Sequence, residues 1–375
     1  HHLKFKEIKI RKDGFMLTAE MIKQIALEEG ADACGIGPMS RFDGAPDEMN
    51  PQFLFPEAKS VIGFVFRIPR GVQRGIEEGT QFYQYPSMAY GGINEIFAPA
   101  VLYRVGQVIE DEGYEAFVYR NTGARGVVSD MDGSPGNTLS PEEQIEVNEN
   151  AKTSTAHHRS VQFTRPARDE NSIAPDLQFQ FRLAAVACGL GEIGWSKMLL
   201  TPQFGPLQRV AFLFTDAELE YDEMYSGKPL CRRCGACVRE CPGGCIPSLK
   251  SDKKVTVNLD GKICEWGDID MWRCYAFYTH AGRYYNPFVP KEVWDENKDG
   301  ALDLMEGVTD VANEKEIMKV YTALSKYFPS WVGYNMAKCG GCIRACVSVL
   351  EKKGGCMEGR FKEPLRTKKA WKLDR

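Results

Sequence analysis

Thirteen cysteines stand in this chain of 375 residues, and ten of them fall from Cys231 to Cys346. Cys231, Cys234, Cys237 and Cys241, followed by Pro242, give the spacing C-x2-C-x2-C-x3-C-P. Two-residue gaps let successive thiolates converge on one iron-sulfur cluster, while the displaced fourth cysteine points to a second cluster. A zinc site would need cysteine pairs separated by a dozen or more residues, which is not the pattern here. Cys339, Cys342 and Cys346 repeat the last three members of the motif, so their first member must come from upstream. Cys245, Cys264 and Cys274 compete for that place. Cys245 stands too close to the first turn, and Cys264 and Cys274 both precede the segment that separates the two half-motifs. By the crossing rule of two-cluster ferredoxins, one [4Fe-4S] cluster takes Cys231, Cys234, Cys237 and Cys346. The other takes Cys241, Cys339, Cys342 and one upstream thiolate. Cys34, Cys188, Cys245 and Cys356 read as small buried hydrophobes.

Two further patterns carry chemistry. Gly189, Gly191 and Gly194 match G-x-G-x-x-G, with Asp216 ending the next strand, but the helix expected from about Trp195 to Leu200 stops before Pro202. That is too short for the crossover of a dinucleotide-binding unit, so a Rossmann site is rejected. Asp295, Asn297, Asp299, the carbonyl of Ala301, Asp303 and Glu306 fit the oxygen positions of an EF-hand-like loop, with Gly300 at its tight turn. A structural Ca2+ clip is expected there, against the plainer reading of a solvated acidic loop.

The elements that must hold these groups follow from periodicity. Thr18 to Glu29 places Met21, Ile22, Ile25 and Ala26 on one helical face and stops at Gly30. Ala31 to Ile36, Val61 to Arg67, Tyr114 to Tyr119 and Val210 to Thr215 read as strands, and about Ile96 to Glu112 as a helix. Residues 121–180 are polar and aperiodic, a loop long enough to be functional. Composition shifts to cysteine and glycine near Pro229. The expected organisation is a core over 1–225, a cysteine-rich domain over 226–360 with an insertion at 287–332 that carries a helix from Asn313 to Tyr327, and a tail over 361–375. Basic residues number 47 against 51 acidic, a net charge of -4, which argues against nucleic acid as a partner. The sequence reads without a membrane span or signal peptide.

The string from Gly189 through Leu190, Gly191, Gly194, Trp195, Lys197, Thr201, Pro202, Gly205 and Pro206 to Arg209, followed by Thr215-Asp216, closely resembles the corrinoid-binding segment of the reductive dehalogenases. Trp272-Arg-Cys274-Tyr-Ala-Phe resembles the family's segment that supplies the lone upstream ligand, which selects Cys274 over Cys264. The resemblance implies an α+β fold, with a nitroreductase-like corrinoid-binding core followed by a bacterial-type ferredoxin domain holding two [4Fe-4S] clusters. It implies a cobalamin-type corrinoid bound base-off, with Gly189, Leu190, Gly191, Gly194, Thr201, Pro202, Gly205 and Pro206 packing it. No D-x-H-x-x-G motif occurs, consistent with base-off binding without a histidine ligand.

The same resemblance implies a tyrosine acid with a basic neighbour. Tyr83, Tyr85 and Tyr90 offer themselves, with Tyr85 and Tyr90 preferred and unranked, and Asn121 falls where the family places a polar pocket residue. Family members often carry a basic residue where Trp195 stands. Either Lys197 or an arginine of the long loop supplies the charge, or Trp195 shapes an apolar pocket for small chlorinated methanes or ethanes. The implied role is the terminal reductase of organohalide respiration, acting on a small halogenated organic substrate at the outer face of the cytoplasmic membrane. Twin-arginine export and a small integral membrane anchor protein would place it there. The alternatives are an enzyme resembling epoxyqueuosine reductase, which would want a basic surface for tRNA, and a pure iron-sulfur electron carrier.

Overall fold

The computed structural model describes residues 17–81, 84–119, 179–325, 327, 341–352 and 354–366. Tyr83, Asn121, Cys339, the loop at 121–178 and the tail beyond 366 lie outside the described residues.

Strand β1 (Ala33–Pro38), β2 (Ser60–Arg67), β6 (Gln208–Thr215) and β3 (Ala116–Tyr119) form one antiparallel sheet in the order β1-β2-β6-β3. In β2, Val61, Ile62, Phe64, Val65 and Phe66 are all buried, because both faces of the sheet are covered. Alternation sorts the side chains. Ile62, Phe64, Phe66, Ala211 and Leu213 face one core, and Val61, Val65, Val210, Phe212 and Phe214 face another. Each of these side chains apart from Ala211 contributes roughly 1.5–3 kcal/mol by leaving water.

Helix α1 (Ala19–Glu28) and α3 (Ala98–Asp111) cover the first face. The Thr18 hydroxyl accepts the Met21 N–H and caps α1. Helix α3 buries Val101, Leu102, Val105 and Ile109, the spacing of a single apolar stripe. The short α2 (Arg74–Glu78) precedes a wide π-helix over Tyr85–Phe97, which runs directly into α3. Wide helices are rare and concentrate at functional sites.

The second face is covered by α4 (Phe181–Ala187) and by the hairpin of β7 (Lys254–Leu259) and β8 (Lys262–Gly267). The chain leaves β3 at Tyr119 and re-enters beside it at Phe179, the ring centroids 4.8 Å apart. Where a short helix was expected after Gly194, the chain makes a hairpin of β4 (Glu192–Ile193) and β5 (Leu199–Leu200). Gly191 permits it, because a Cβ there would stand 2.0 Å from the Leu200 carbonyl oxygen.

Past the hairpin come α5 (Ala236–Arg239), α6 (Met271–His280), α7 (Lys291–Glu296), α8 (Asp303–Glu306), α9 (Glu314–Ser325) and α10 (Gly341–Leu350). Helix α10 packs Ile343, Val347 and Leu350 into the first core, and β7–β8 packs Val257, Leu259 and Trp266 into the second. Both cores therefore cross residues 225/226, where composition changes. The expected insertion forms a third core with α6, in which Trp294, Leu302, Leu304, Ile317, Val320 and Leu324 surround Phe277. Among the described residues no helix is long and apolar enough to cross a membrane.

The acidic loop closes on a cation of the chain itself. Asp295 is paired with Arg283 and Lys291, and Arg283 also reaches Glu306 at 3.5 Å. Asn297 donates to Asp303 at 2.8 Å and accepts the Leu302 N–H at 2.7 Å. The carboxylates at the first and last loop positions thus turn toward a guanidinium, where Ca2+ was expected. Gly300 still makes the tight turn at φ 64°.

Two ion-pair clusters tie the N-terminal part to the C-terminal helix. Glu77 receives Arg344 of α10 at 2.8 Å and also pairs with Arg366, which reaches Glu240 at 2.7 Å. Arg70 binds Glu351 at 2.6 Å. The Glu77 side chain is 4% exposed, so removing its charge would strand two arginines in a site with little water. We expect Glu77→Gln to cost about 3–5 kcal/mol, read as a lower urea midpoint with an unchanged slope. For the acidic loop, Arg283→Ala should cost roughly 1–3 kcal/mol, while chelation or millimolar Ca2+ should leave the wild-type melting temperature where it is.

Candidate functional site

Six segments meet at the start of β6. Arg209, its second residue, lies on the same face as Ala211 and Leu213, directed toward the first turn of the π-helix. Its Nε donates to the Ala89 carbonyl at 2.9 Å and its Nη2 to the Tyr85 hydroxyl at 3.3 Å. The guanidinium carbon lies 4.5 Å from the centre of the Tyr90 ring, close enough for a cation–π contact. Tyr278 of α6 hydrogen-bonds the same guanidinium. Tyr278 is one helical turn beyond Cys274, so one face of α6 presents a phenol and a thiol together.

Burial pushes the Tyr85 phenol above its usual range, and Arg209 pulls it partly back. Burial opposes the charge of Arg209, but Tyr85, Tyr278 and Tyr90 outweigh it and hold the guanidinium firmly protonated. Arg182, in the first turn of α4, is shifted down by burial and then by the like charge of Arg209. Lys197 sits in the β4–β5 turn with φ 61°, a left-handed conformation that costs a side-chain-bearing residue roughly 1–2 kcal/mol. Burial, and then Arg182, holds its amine down to about 8. Three cations and three phenols are therefore coupled here, and Cys342 and Cys274 lie within electrostatic reach of them.

The thiols sort into two groups. Cys346 is shifted up by burial and then by Cys231, Cys237 and Cys234, so these four face one another. Cys237 likewise rises to about 11 from burial and from Cys231 and Cys234. The Trp195 N–H points at the Cys231 sulfur at 3.5 Å. In the second group the Cys245 thiol touches both Cys241 and Cys274, and the Cys245 N–H lies 3.3 Å from the Cys241 sulfur. The hydrogen bond from Cys245 lowers the Cys241 thiol to about 6. Cys264 stands apart from both groups, on the buried face of the β7–β8 hairpin. Among the described residues no three His, Cys, Asp or Glu side chains converge tightly enough for a single metal ion. Each group has one backbone N–H aimed at a sulfur, from Trp195 and from Cys245.

The glycine segment packs closely against other parts of the chain. A Cβ on Gly189 would meet the Glu223 carbonyl at 2.4 Å, and one on Gly205 would meet Met357 at 2.8 Å and Leu350 at 2.9 Å. These glycines admit the chain's own backbone and the C-terminal part. Leu190 lies on the sheet over Gly35 and Gly63. Thr201 bridges to Gly205 and its hydroxyl accepts the Phe204 N–H, with Pro202 inside that turn and Pro206 just after it. Gly194 alone of the four faces a thiol, 3.5 Å from Cys231 at the Cβ position. The Trp195 indole N–H donates to the Pro247 carbonyl at 2.8 Å and Arg233 stacks on its ring. Asp216 accepts the Glu115 N–H and fixes the start of β3.

Sequence reasoning missed Arg182, Arg209, Tyr278 and the position of Cys245. The four-residue step from Cys274 to Tyr278 was a readable signal. Arg209, amid the apolar residues of a strand buried on both faces, was another.

No family model matches the chain. The tetrachloroethene reductive dehalogenase of Desulfitobacterium hafniense (strain Y51) is 29% identical over 158 residues, which cover 40% of this chain and 27% of that protein. The chain thus spans about a quarter of the length of the curated relatives it matches, and over that stretch it is their distant homologue. Among solved structures, a reductive dehalogenase reported with a mechanism for B12-dependent dehalogenation aligns at TM-score 0.46 and 16% identity, covering 84% of this chain and 38% of its own. The epoxyqueuosine reductase of Streptococcus thermophilus aligns at TM-score 0.37 and 13% identity, covering 90% and 92%. Both are weak likenesses.

Between about pH 8 and the usual 10.5 of lysine, the unfolded chain carries a proton on Lys197 that the folded chain has lost. The cost of giving up that proton on folding falls as pH rises through that window, so stability should increase there. Wild type should gain on Lys197→Met between pH 7.5 and 10 in urea midpoints. A constant difference would assign Lys197 an ordinary solvated charge.

Proposed function

We propose that this chain is the catalytic part of a reductive dehalogenase that removes halogen from a small organohalide, using a base-off corrinoid and electrons from two [4Fe-4S] clusters. The observation that carries the reading is the meeting of Tyr85, Arg209, Arg182 and Lys197 with Cys274 and Cys342, on a chain distantly homologous to tetrachloroethene reductive dehalogenases.

The corrinoid would supply low-valent cobalt for breaking the carbon–halogen bond, and the clusters would supply its electrons. The turn at Thr201, Pro202, Gly205 and Pro206 is the segment proposed to lie against it. Gln73, just before α2, and Asn94, within the π-helix, are buried, with amide groups that meet no partner among the described residues. Such groups suit the amide fringe of a corrin. Cys231, Cys234, Cys237 and Cys346 would hold one cluster, and Cys241, Cys274, Cys339 and Cys342 the other.

The chain's own residues manage the proton. Burial keeps the Tyr85 phenol protonated at neutral pH, and the Arg209 contact orients its oxygen and steadies the charge left when that proton moves to carbon. Arg182 and Lys197 add positive potential where negative charge develops. Tyr90, stacked on Arg209, positions the guanidinium. The chlorinated-alkane preference tied to Trp195 has no support from its packing, since that ring contacts Arg233 and Pro247. Export by the twin-arginine route and attachment to the outer face of the cytoplasmic membrane through a small integral membrane protein complete the proposal. They rest on the family resemblance.

Metal analysis of the full chain, reconstituted anaerobically, tests the reading. About eight iron atoms and one cobalt per chain are expected. Tyr85→Phe should lower halide release about a hundredfold or more with both metals retained, and Tyr90→Phe should have the smaller effect. Iron without cobalt would leave only an electron carrier.

A further inference from the structure

Cys245 is the one thiol of the second group that no ligand set requires. Cys241, Cys274, Cys339 and Cys342 already make four, yet Cys245 is 4% exposed and its thiol lies in contact with the sulfurs of both Cys241 and Cys274. The surroundings fix it there. Its carbonyl accepts the Asp270 N–H at 3.1 Å, which joins it to the N-cap of α6, the helix that carries Cys274. Its own N–H is directed at Cys241 at 3.3 Å. Gly243 leaves the room, since a Cβ there would stand 2.7 Å from the Cys245 sulfur. A small buried hydrophobe in this position could be alanine, whereas the thiol places a polar hydrogen between two sulfurs.

We infer that Cys245 is a tuning residue for the second cluster, donating its S–H to the ligand sulfurs of Cys241 and Cys274 and so making that cluster easier to reduce. The inference rests on the proposed iron-sulfur reading of the thiols. Its physical basis is general. Adding an electron increases the negative charge on ligand sulfur, a donor aimed there stabilises the reduced form more than the oxidised form, and hydrogen bonds to sulfur are among the factors that set cluster potentials. Cys245 acts through Cys241 and Cys274 and needs no bond to iron.

The test uses the full chain with clusters reconstituted, as wild type, Cys245→Ala and Cys245→Ser. Iron per chain is measured, and each cluster's midpoint is followed by spectroscopically monitored redox titration. The expected result is unchanged iron in all three, with one midpoint lowered in Cys245→Ala. The reduction equilibrium of that cluster should weaken by about threefold to tenfold, tenfold corresponding to 59 mV for one electron. Cys245→Ser keeps a donor and should restore most of the shift, and the other cluster should not move. Loss of about four iron atoms in Cys245→Ala would make Cys245 a ligand and overturn the inference. Two unchanged midpoints would overturn it as well and return the residue to core packing. If wild type itself binds no iron, the parent reading fails, and that result is distinct from either of these.

Discussion

A buried carboxylate holds together what the sequence keeps far apart. Glu77 lies between Arg344 and Arg366, and Arg366 reaches on to Glu240, one residue before Cys241. One network thus joins the segment leading to Tyr85, the helix carrying Cys342 and Cys346, and the loop of the first cysteine motif. Such a network contributes little net stability compared with apolar packing, but it is costly to break and has one good geometry. Its value is registry. The tyrosines can face the thiols only if α10 docks at one position along the sheet, and the Arg70–Glu351 pair fixes the same helix at its far end.

With registry fixed, the tyrosine–arginine cluster is a balance of opposing electrostatic effects. Desolvation acts against every charge in it, and three neighbouring cations repel one another. Phenols and thiols offset that cost, which is why Arg209 stays firmly protonated while Arg182 and Lys197 are both shifted down. The arrangement is poor for stability and suited to a site where negative charge appears transiently. The left-handed backbone at Lys197 belongs to the same pattern, a local cost retained beside reactive groups.

Local patterns were legible wherever local forces decide. Thr18 capping α1, the continuous apolar run of β2 and the apolar stripe of α3 could each be read from neighbouring residues. The hairpin after Gly194 could not, because it depends on the Leu200 carbonyl packing against Gly191, and the turn at Gly205 that follows it packs against Met357, more than 150 positions away. Cysteine spacing made the thiol chemistry readable. The place of Cys245 depended on how α6 docks, which spacing does not encode. Arg283 pairing with the acidic loop is a similar case, since its charge reaches the loop from outside the motif.

The two thiol groups differ in their surroundings, and that difference gives direction to the proposed chemistry. Cys234 is exposed at the surface, flanked by the exposed side chains of Arg232 and Arg233. Cys274 and Cys342 instead lie within reach of the half-buried Arg182 and the buried Tyr85. On the proposed reading, electrons would enter through the group nearest solvent and leave through the group nearest the phenol. A donor then never needs access to the dry site, and the site can exclude water while it is being reduced. On that reading the separation would use two clusters rather than one, the second cysteine motif returning on a helix packed into the first core.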